Sequence, residues 1–180
     1  MSDGNCVTGV GTLKVLTTVT TRRSSDLDDN VTFGEDDGAS VLSVLTNDSD
    51  PENDTLTITN IGTTAAGKAS LSNGTGHYDP NGEFDSLKVG ETAIDSYTYT
   101  VTDGNGGTDV ATVNVTITGI NDAPDAVDDN VTFGEDDGAS VLSVLTNDSD
   151  PENDTLTITN IGTAATGTAT LSNGTVSYDP

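Results

Sequence analysis

The chain repeats itself. Residues 28–80 return as residues 128–180 at a constant offset of 100, with six differences in fifty-three positions, and residues 28–63 return as 128–163 unchanged. The differences are Thr64/Ala164, Ala66/Thr166, Lys68/Thr168, Ser70/Thr170, Gly76/Val176 and His77/Ser177, all on small or surface-type residues after the acidic segment. Such regularity marks a tandem array. Each period of about 100 residues is one small domain, and function belongs to the array.

The same offset orders the ends. Asp3-Gly4-Asn5 aligns with Asp103-Gly104-Asn105, and Thr8, Val10, Thr12, Val15 and Thr18 meet identical residues 100 positions on. Residues 1–27 are therefore expected to be the remnant of the last strand of a preceding repeat. Residues 28–127 form a complete repeat, and 128–180 form the N-terminal half of a second, truncated one. That half lacks the counterparts of the strands around Tyr97–Val101 and Val110–Ile117, so it is expected to be unstable alone or to pair with strands from elsewhere.

Strand signals run through the complete unit. Residues 30–33 and 40–45 read as short strands, and Leu56 and Ile58 alternate with threonines. Residues 67–72 and 75–79 flank Asn73-Gly74, the pair that supplies the positive φ angles of a type I′ hairpin. Residues 80–93 read as an irregular loop. Tyr97, Tyr99 and Val101 alternate with Ser96, Thr98 and Thr100. Ala111, Val113, Val115 and Ile117 then share one face, opposite Thr112, Asn114, Thr116 and Thr118. About seven strands, no convincing helix and frequent turns predict an all-β fold, tandem antiparallel sandwiches of immunoglobulin or cadherin-like type. Apolar residues are only 32% of the chain, with four Tyr, three Phe and no Trp, so the core must be thin.

Charge narrows the function. Thirty acids face five bases, for a net charge of −25. Residues 28–127 hold eighteen acids and two bases, and residues 128–180 hold ten acids and no base. This surface repels nucleic acid and anionic membranes and attracts cations. The apolar alternation argues against a disordered acidic segment. No stretch has the apolar length of a membrane span, and residues 1–27 lack the apolar block of a signal peptide. Cys6 is the single cysteine and aligns with Gly106, so no disulfide staples the domain; a metal is the natural substitute.

The acids cluster in loops. Asp48, Asp50, Glu52 and Asp54 are spaced by two, as are Asp148, Asp150, Glu152 and Asp154. Hard oxygen ligands in one short loop suit calcium. An EF-hand is rejected because Asn53 occupies its glycine position, Thr59 its bidentate glutamate position, and strands flank the loop. Other acids gather at expected strand ends: Glu35-Asp36, Asp103, Asn121-Asp122, Asp128 and Glu135-Asp136. Loops at one end of a sandwich lie close together, so several clusters could share Ca2+. Crowded carboxylates without a cation cost on the order of 1 kcal/mol per close pair. The competing reading is a solvated acidic rim.

Residues 28–127 resemble the bacterial cadherin-like, VCBS-type repeats of large surface and RTX-type adhesins. The resemblance rests on Glu35-Asp36, on Val44-Leu45-Thr46-Asn47-Asp48-Ser49-Asp50 leading to Asp54-Thr55-Leu56, and on Leu71-Ser72-Asn73-Gly74-Thr75 with Tyr78. It extends to Asp95-Ser96-Tyr97-Thr98-Tyr99-Thr100-Val101 with Asp103, and to Gly119-Ile120-Asn121-Asp122-Ala123-Pro124. It implies an extracellular or cell-surface location, calcium-stiffened tandem units and a role in adhesion or biofilm. The implied partners are neighbouring repeats of the same chain, and cell-surface glycans or other adhesin molecules.

Asn121-Asp122-Ala123-Pro124 reads as an extended acidic connector, since proline pushes the preceding residue out of helical geometry. Asp122 and the next unit's acids would hold the modules at a fixed angle. At the first junction Thr21-Arg22-Arg23-Ser24 replaces the acid, and no junctional ion is expected there. His77 is unrepeated and distant from Cys6, and no aromatic cleft accompanies a carboxylate pair, so the residues predict a chain that is not an enzyme. The alternative function is a calcium-dependent glycan- or exopolysaccharide-binding module, which would need exposed aromatics.

Overall fold

The computed structural model describes residues 27–180. The expected N-terminal strand remnant, Cys6 and Arg22-Arg23 lie outside the described residues. The complete unit holds seven strands: β1 (Asp29–Gly34), β2 (Ser40–Leu42), β3 (Thr57–Ile61), β4 (Lys68–Ser72), β5 (Thr75–Asp79), β6 (Thr92–Thr102) and β7 (Thr108–Thr118). They form two sheets, one in the order β1-β7-β6-β3 and one in the order β2-β5-β4. The all-β sandwich expected from the alternation is present.

Three details depart from the sequence reading. First, β1 pairs with β7 in parallel, whereas all pairs were expected antiparallel. The first strand of the unit joins the sheet beside the last and runs the same way. Second, the strand expected over 40–45 stops at Leu42, and Val44–Thr46 coil into a 3₁₀ turn. That turn places Val44 in the core, at 3% exposure. Third, β6 begins at Thr92, inside the stretch expected to be loop.

β6 and β7 are the longest strands and pair over eleven register positions. Their alternation puts Tyr97, Tyr99, Val101, Ala111, Val113, Val115 and Ile117 into the core, against Phe33, Leu42, Val44, Ile58, Tyr78 and Phe84. Burial of each Val, Leu, Ile and Phe among them contributes about 1.5–3 kcal/mol. Phe33 meets Tyr78 edge-on at 5.3 Å between centroids. The β4–β5 hairpin turns at Asn73 (φ 50°) and Gly74 (φ 75°), the pair of positive angles a type I′ turn demands.

A carboxylate lies inside the sandwich. Asp95, 2% exposed, accepts the N–H groups of Ala65 (3.0 Å), Gly67 (2.9 Å) and Ser96 (2.9 Å) and the Tyr78 hydroxyl (2.9 Å). Four donors satisfy a carboxylate that would otherwise be costly to bury. They tie the β3–β4 connection to β6.

In the second copy only β8 (Ser140–Leu142), β9 (Thr168–Ser172) and β10 (Thr175–Asp179) form, as one sheet in the order β8-β10-β9. The counterparts of β1 and β3 are not strands. In the complete unit those two pair only with β7 and β6, for which the second copy has no counterpart.

Candidate metal centre at the junction

The connector starts at Gly119, where a side chain would collide with Leu87 and the Lys88 carbonyl. Gly90 N–H donates to the Gly119 carbonyl (3.0 Å), and Gly119 N–H donates to that of Glu91 (2.9 Å). Glycine thus lets the chain leave β7 pressed against the 80–91 loop. Further on, Asp125 and Ser149 exchange two backbone hydrogen bonds, 2.8 and 3.0 Å, which fastens the connector to the second copy. Across the junction Lys88 Nζ pairs with Asp154 at 2.6 Å.

Two glutamates, one from each copy, grip the connector. Glu35, just after β1, accepts the Ile120 N–H on Oε1 at 2.6 Å. Glu152, in the acidic loop of the second copy, accepts the Asp122 N–H on Oε1 at 2.6 Å. Glu35 is 1% exposed and Glu152 is 3% exposed. The other oxygen of each, Oε2, is buried and has no hydrogen-bond partner among the described residues. Ligand oxygens of Glu35, Asp122 and Glu152 all lie within 4.8 Å of one another. A second triad, Asp36, Asp85 and Asp122, meets the same criterion and shares Asp122.

The electrostatics are unfavourable as they stand. Burial raises the Glu35 carboxyl above its ordinary range; the Ile120 N–H offsets part of this, and the charges of Asp122, Asp36 and Glu152 raise it further. Asp122 is raised by desolvation first, then by Asp36, Glu152, Asp85 and Asp150. Buried anions with unfilled oxygens cost several kcal/mol unless paired or bound to a metal, on the order given by ion desolvation. The donor set, carboxylate oxygen alone, fits a hard divalent cation.

The other expected ligands have different partners. Asp48 accepts the Leu27 N–H (3.0 Å) and the Tyr99 hydroxyl (2.8 Å). Asp50 Oδ1 accepts the N–H groups of Glu52 (2.9 Å) and Asp54 (3.0 Å), and Asp54 accepts Asn105 Nδ2 (2.7 Å). Asp103 holds its own turn through Asn105 and Gly107. In the second copy Asp148 accepts the Val127 N–H (2.8 Å) and Asp150 that of Asp154 (2.9 Å). Asp50 and Asp150 thus cap their own loop as Asx turns, while Asp48, Asp54 and Asp148 bond to groups outside it. Glu52, Asp128, Glu135 and Asp136 are exposed. Asn121, Asp148, Asp150 and Asp154 line a cleft of about 320 Å³ beside Asp122. Asp85 was missed in the sequence; it sits in the irregular 80–91 loop, where nothing but its charge marks it.

This fold, a β-sandwich of immunoglobulin type joined to a second copy through an acidic connector, defines the class of the molecule. The family model for the bacterial Ig domain matches residues 22–116 and again 121–180, and the chain belongs to that family. Bacterial Ig domains are typically extracellular or surface-exposed, and the chain is a structural repeat of the kind found in surface proteins. Among the described residues no helix is long and apolar enough to cross a membrane. A comparison with curated proteins finds no match. Among solved structures, one similar chain is the endo-fucoidan hydrolase MfFcnA4 from glycoside hydrolase family 107, at 21% identity and a TM-score of 0.36. The match covers 86% of this chain and 23% of the hydrolase chain. The expectation that the chain is not an enzyme is set against this finding, a likeness to a hydrolase chain, and is not upheld here. Similarity this low transfers neither activity nor substrate.

Proposed function

We propose that the chain is a calcium-stiffened spacer of a bacterial surface or secreted adhesin, of the cadherin-like type its motifs resemble. One observation carries this reading: two buried glutamates from successive copies bring carboxylate oxygens within 4.8 Å of one another and of Asp122, and each has a buried Oε2 without a hydrogen-bond partner among the described residues. Glu35, Asp122 and Glu152 would hold the ion, with Asp36 and Asp85 close by. Bound calcium would neutralise the crowded anions. The protein positions the ligands by locking each glutamate's Oε1 to a connector N–H, so the ion would fix the angle between modules. Adhesion and biofilm attachment follow as the role of the whole array. The glycan-binding alternative gains no support, because Phe33, Tyr78, Phe84, Tyr97 and Tyr99 are all buried.

Isothermal titration of the full chain with calcium tests this. Affinities near 10⁻⁴–10⁻³ M are expected, as for extracellular modules, with stabilisation of about 1–3 kcal/mol at saturating ion. Glu152→Gln should lose the junctional heat, while Glu52→Gln, its exposed counterpart, should keep it. No heat in the parent chain, or equal loss in both variants, defeats the reading.

A further inference from the structure

The second copy leaves its core open. Phe133, Leu142, Val144, Ile158 and Tyr178 repeat five residues that are buried in the first unit, and none of the five is buried here. The face itself is formed. Phe133 meets Tyr178 at 5.2 Å between centroids, as Phe33 meets Tyr78 at 5.3 Å. Yet residues 129–134 pair with no strand, whereas β1 pairs in parallel with β7. Part of the β6 space is already taken. A Cβ at Gly76 would lie 3.9 Å from the Tyr97 hydroxyl of β6, and the second copy carries Val176 at that position, 8% exposed. The strand this face most needs is a β7.

The sequence supplies one outside the described residues. At the offset of 100, residues 8–18 correspond to β7, with Thr8, Val10, Thr12, Val15 and Thr18 identical. The positions that face the core in β7 are held by Gly11, Leu13, Val15 and Thr17. In the β1–β7 register Leu13 would lie opposite Asp129, and Thr18 opposite Gly134. Charge agrees with this register. Residues 1–27 hold three of the five bases, Lys14, Arg22 and Arg23, whereas residues 128–180 hold ten acids and no base. Arg22 aligns with Asp122, which clusters with Glu35 and with Asp36. The equivalents of those two acids, Glu135 and Asp136, are exposed, and Arg22 would bring them a cation.

The donor must be another molecule. The junction joins the Glu35 end of the first unit to the acidic loop of the second, so the copies follow end to end. To lie beside Gly134 of its own chain, residue 18 would have to pass the length of β1 and that of residues 129–134, about 40 Å at strand rise before the connector is counted. The nine residues 19–27 span at most about 32 Å.

We propose that the second copy is an acceptor for residues 8–18 of another molecule of this chain, added as a parallel strand beside residues 129–134. Strand addition to an open sheet face supplies main-chain hydrogen bonds, and the alternate side chains supply specificity. The contact is head-to-tail, so it continues beyond a dimer.

Sedimentation equilibrium of the full chain tests it, in a Cys6→Ser background to prevent disulfide dimers and in EDTA to prevent bridging by divalent ions. The average mass should rise with concentration past that of a dimer. Val15→Asp, which turns a charge toward the core, should abolish the rise, while Leu16→Asp on the opposite face should keep it. Arg22→Glu should weaken association several-fold. Amide exchange on the same samples should show residues 129–134 gaining protection with concentration while residues 29–34 stay constant. A monomer at every concentration overturns the proposal, as does equal loss of association in Val15→Asp and Leu16→Asp. Association without added protection at 129–134 overturns it too, and points instead to pairing between exposed sheet edges.

Discussion

Residues 29–34 and 129–134 are the same six amino acids in two structural states. In the first copy they form a strand, and Phe33 is 6% exposed. In the second they form none, Phe133 is half-buried and Val131 is 57% exposed. The acids reverse the pattern. Glu35 is buried and Glu135 exposed, whereas Glu52 is exposed and Glu152 buried. Local sequence is identical at each pair, so the neighbours decide. β6 and β7 make the strand, and the junction makes the buried glutamate.

The largest test of this contrast is amide hydrogen exchange. Protection of β1 amides should approach the global unfolding free energy, about 5–15 kcal/mol, while residues 129–134 should exchange with almost no protection. Appending a counterpart of residues 81–127 after Pro180 should raise 129–134 to the level of 29–34. Equal protection in the parent chain would break the comparison.

Core truncation gives a smaller effect. Phe33→Ala should cost about 3–5 kcal/mol in chemical unfolding. Phe133→Ala should cost no more than about 1.5 kcal/mol, since less area is buried. Similar losses would mean that the two copies are equally well packed.

The smallest expected effect is on pH, with chelator present. Glu35, Asp122 and Asp29 are all raised, chiefly by burial. For a raised carboxyl the fold favours the protonated form. The stability it contributes is complete below the ordinary values of 4.5 for Glu and 3.8 for Asp and is lost as pH climbs through the raised ones. The melting temperature of the chelated chain should therefore fall as pH rises from about 4 to about 7. Saturating calcium, which needs the carboxylates, should reverse the slope. A chelated profile that climbs over this window contradicts the crowding at Asp122.

Much of the fold was legible. Two letters, Asn73-Gly74, located the hairpin, and the alternation of Ala111 through Ile117 marked the face of β7 that fills the core. The parallel pairing of β1 was not legible, because a strand's own residues do not encode which way its partner runs. The 3₁₀ turn at Val44–Thr46 was hidden for a similar reason: its apolar residues suit a strand as well as a turn that buries Val44. At the candidate site, Glu35, Asp122 and Glu152 were all singled out, but so were the regularly spaced aspartates around them. Spacing alone could not tell an acid drawn into the cluster at the junction from one that caps its own loop. That distinction depends on which backbone N–H groups the folded loop presents to Asp50 and Asp150.

The grip on the connector also bears on how such genes grow and shrink. Both copies carry glutamate at the same two positions, Glu35 and Glu52 in the first and Glu135 and Glu152 in the second, and at the junction Glu35 and Glu152 form the clasp. Recombination that inserts or deletes a whole period therefore rebuilds the same clasp at the new seam. An array of this period could then change length by whole repeats without a compensating substitution at the seam.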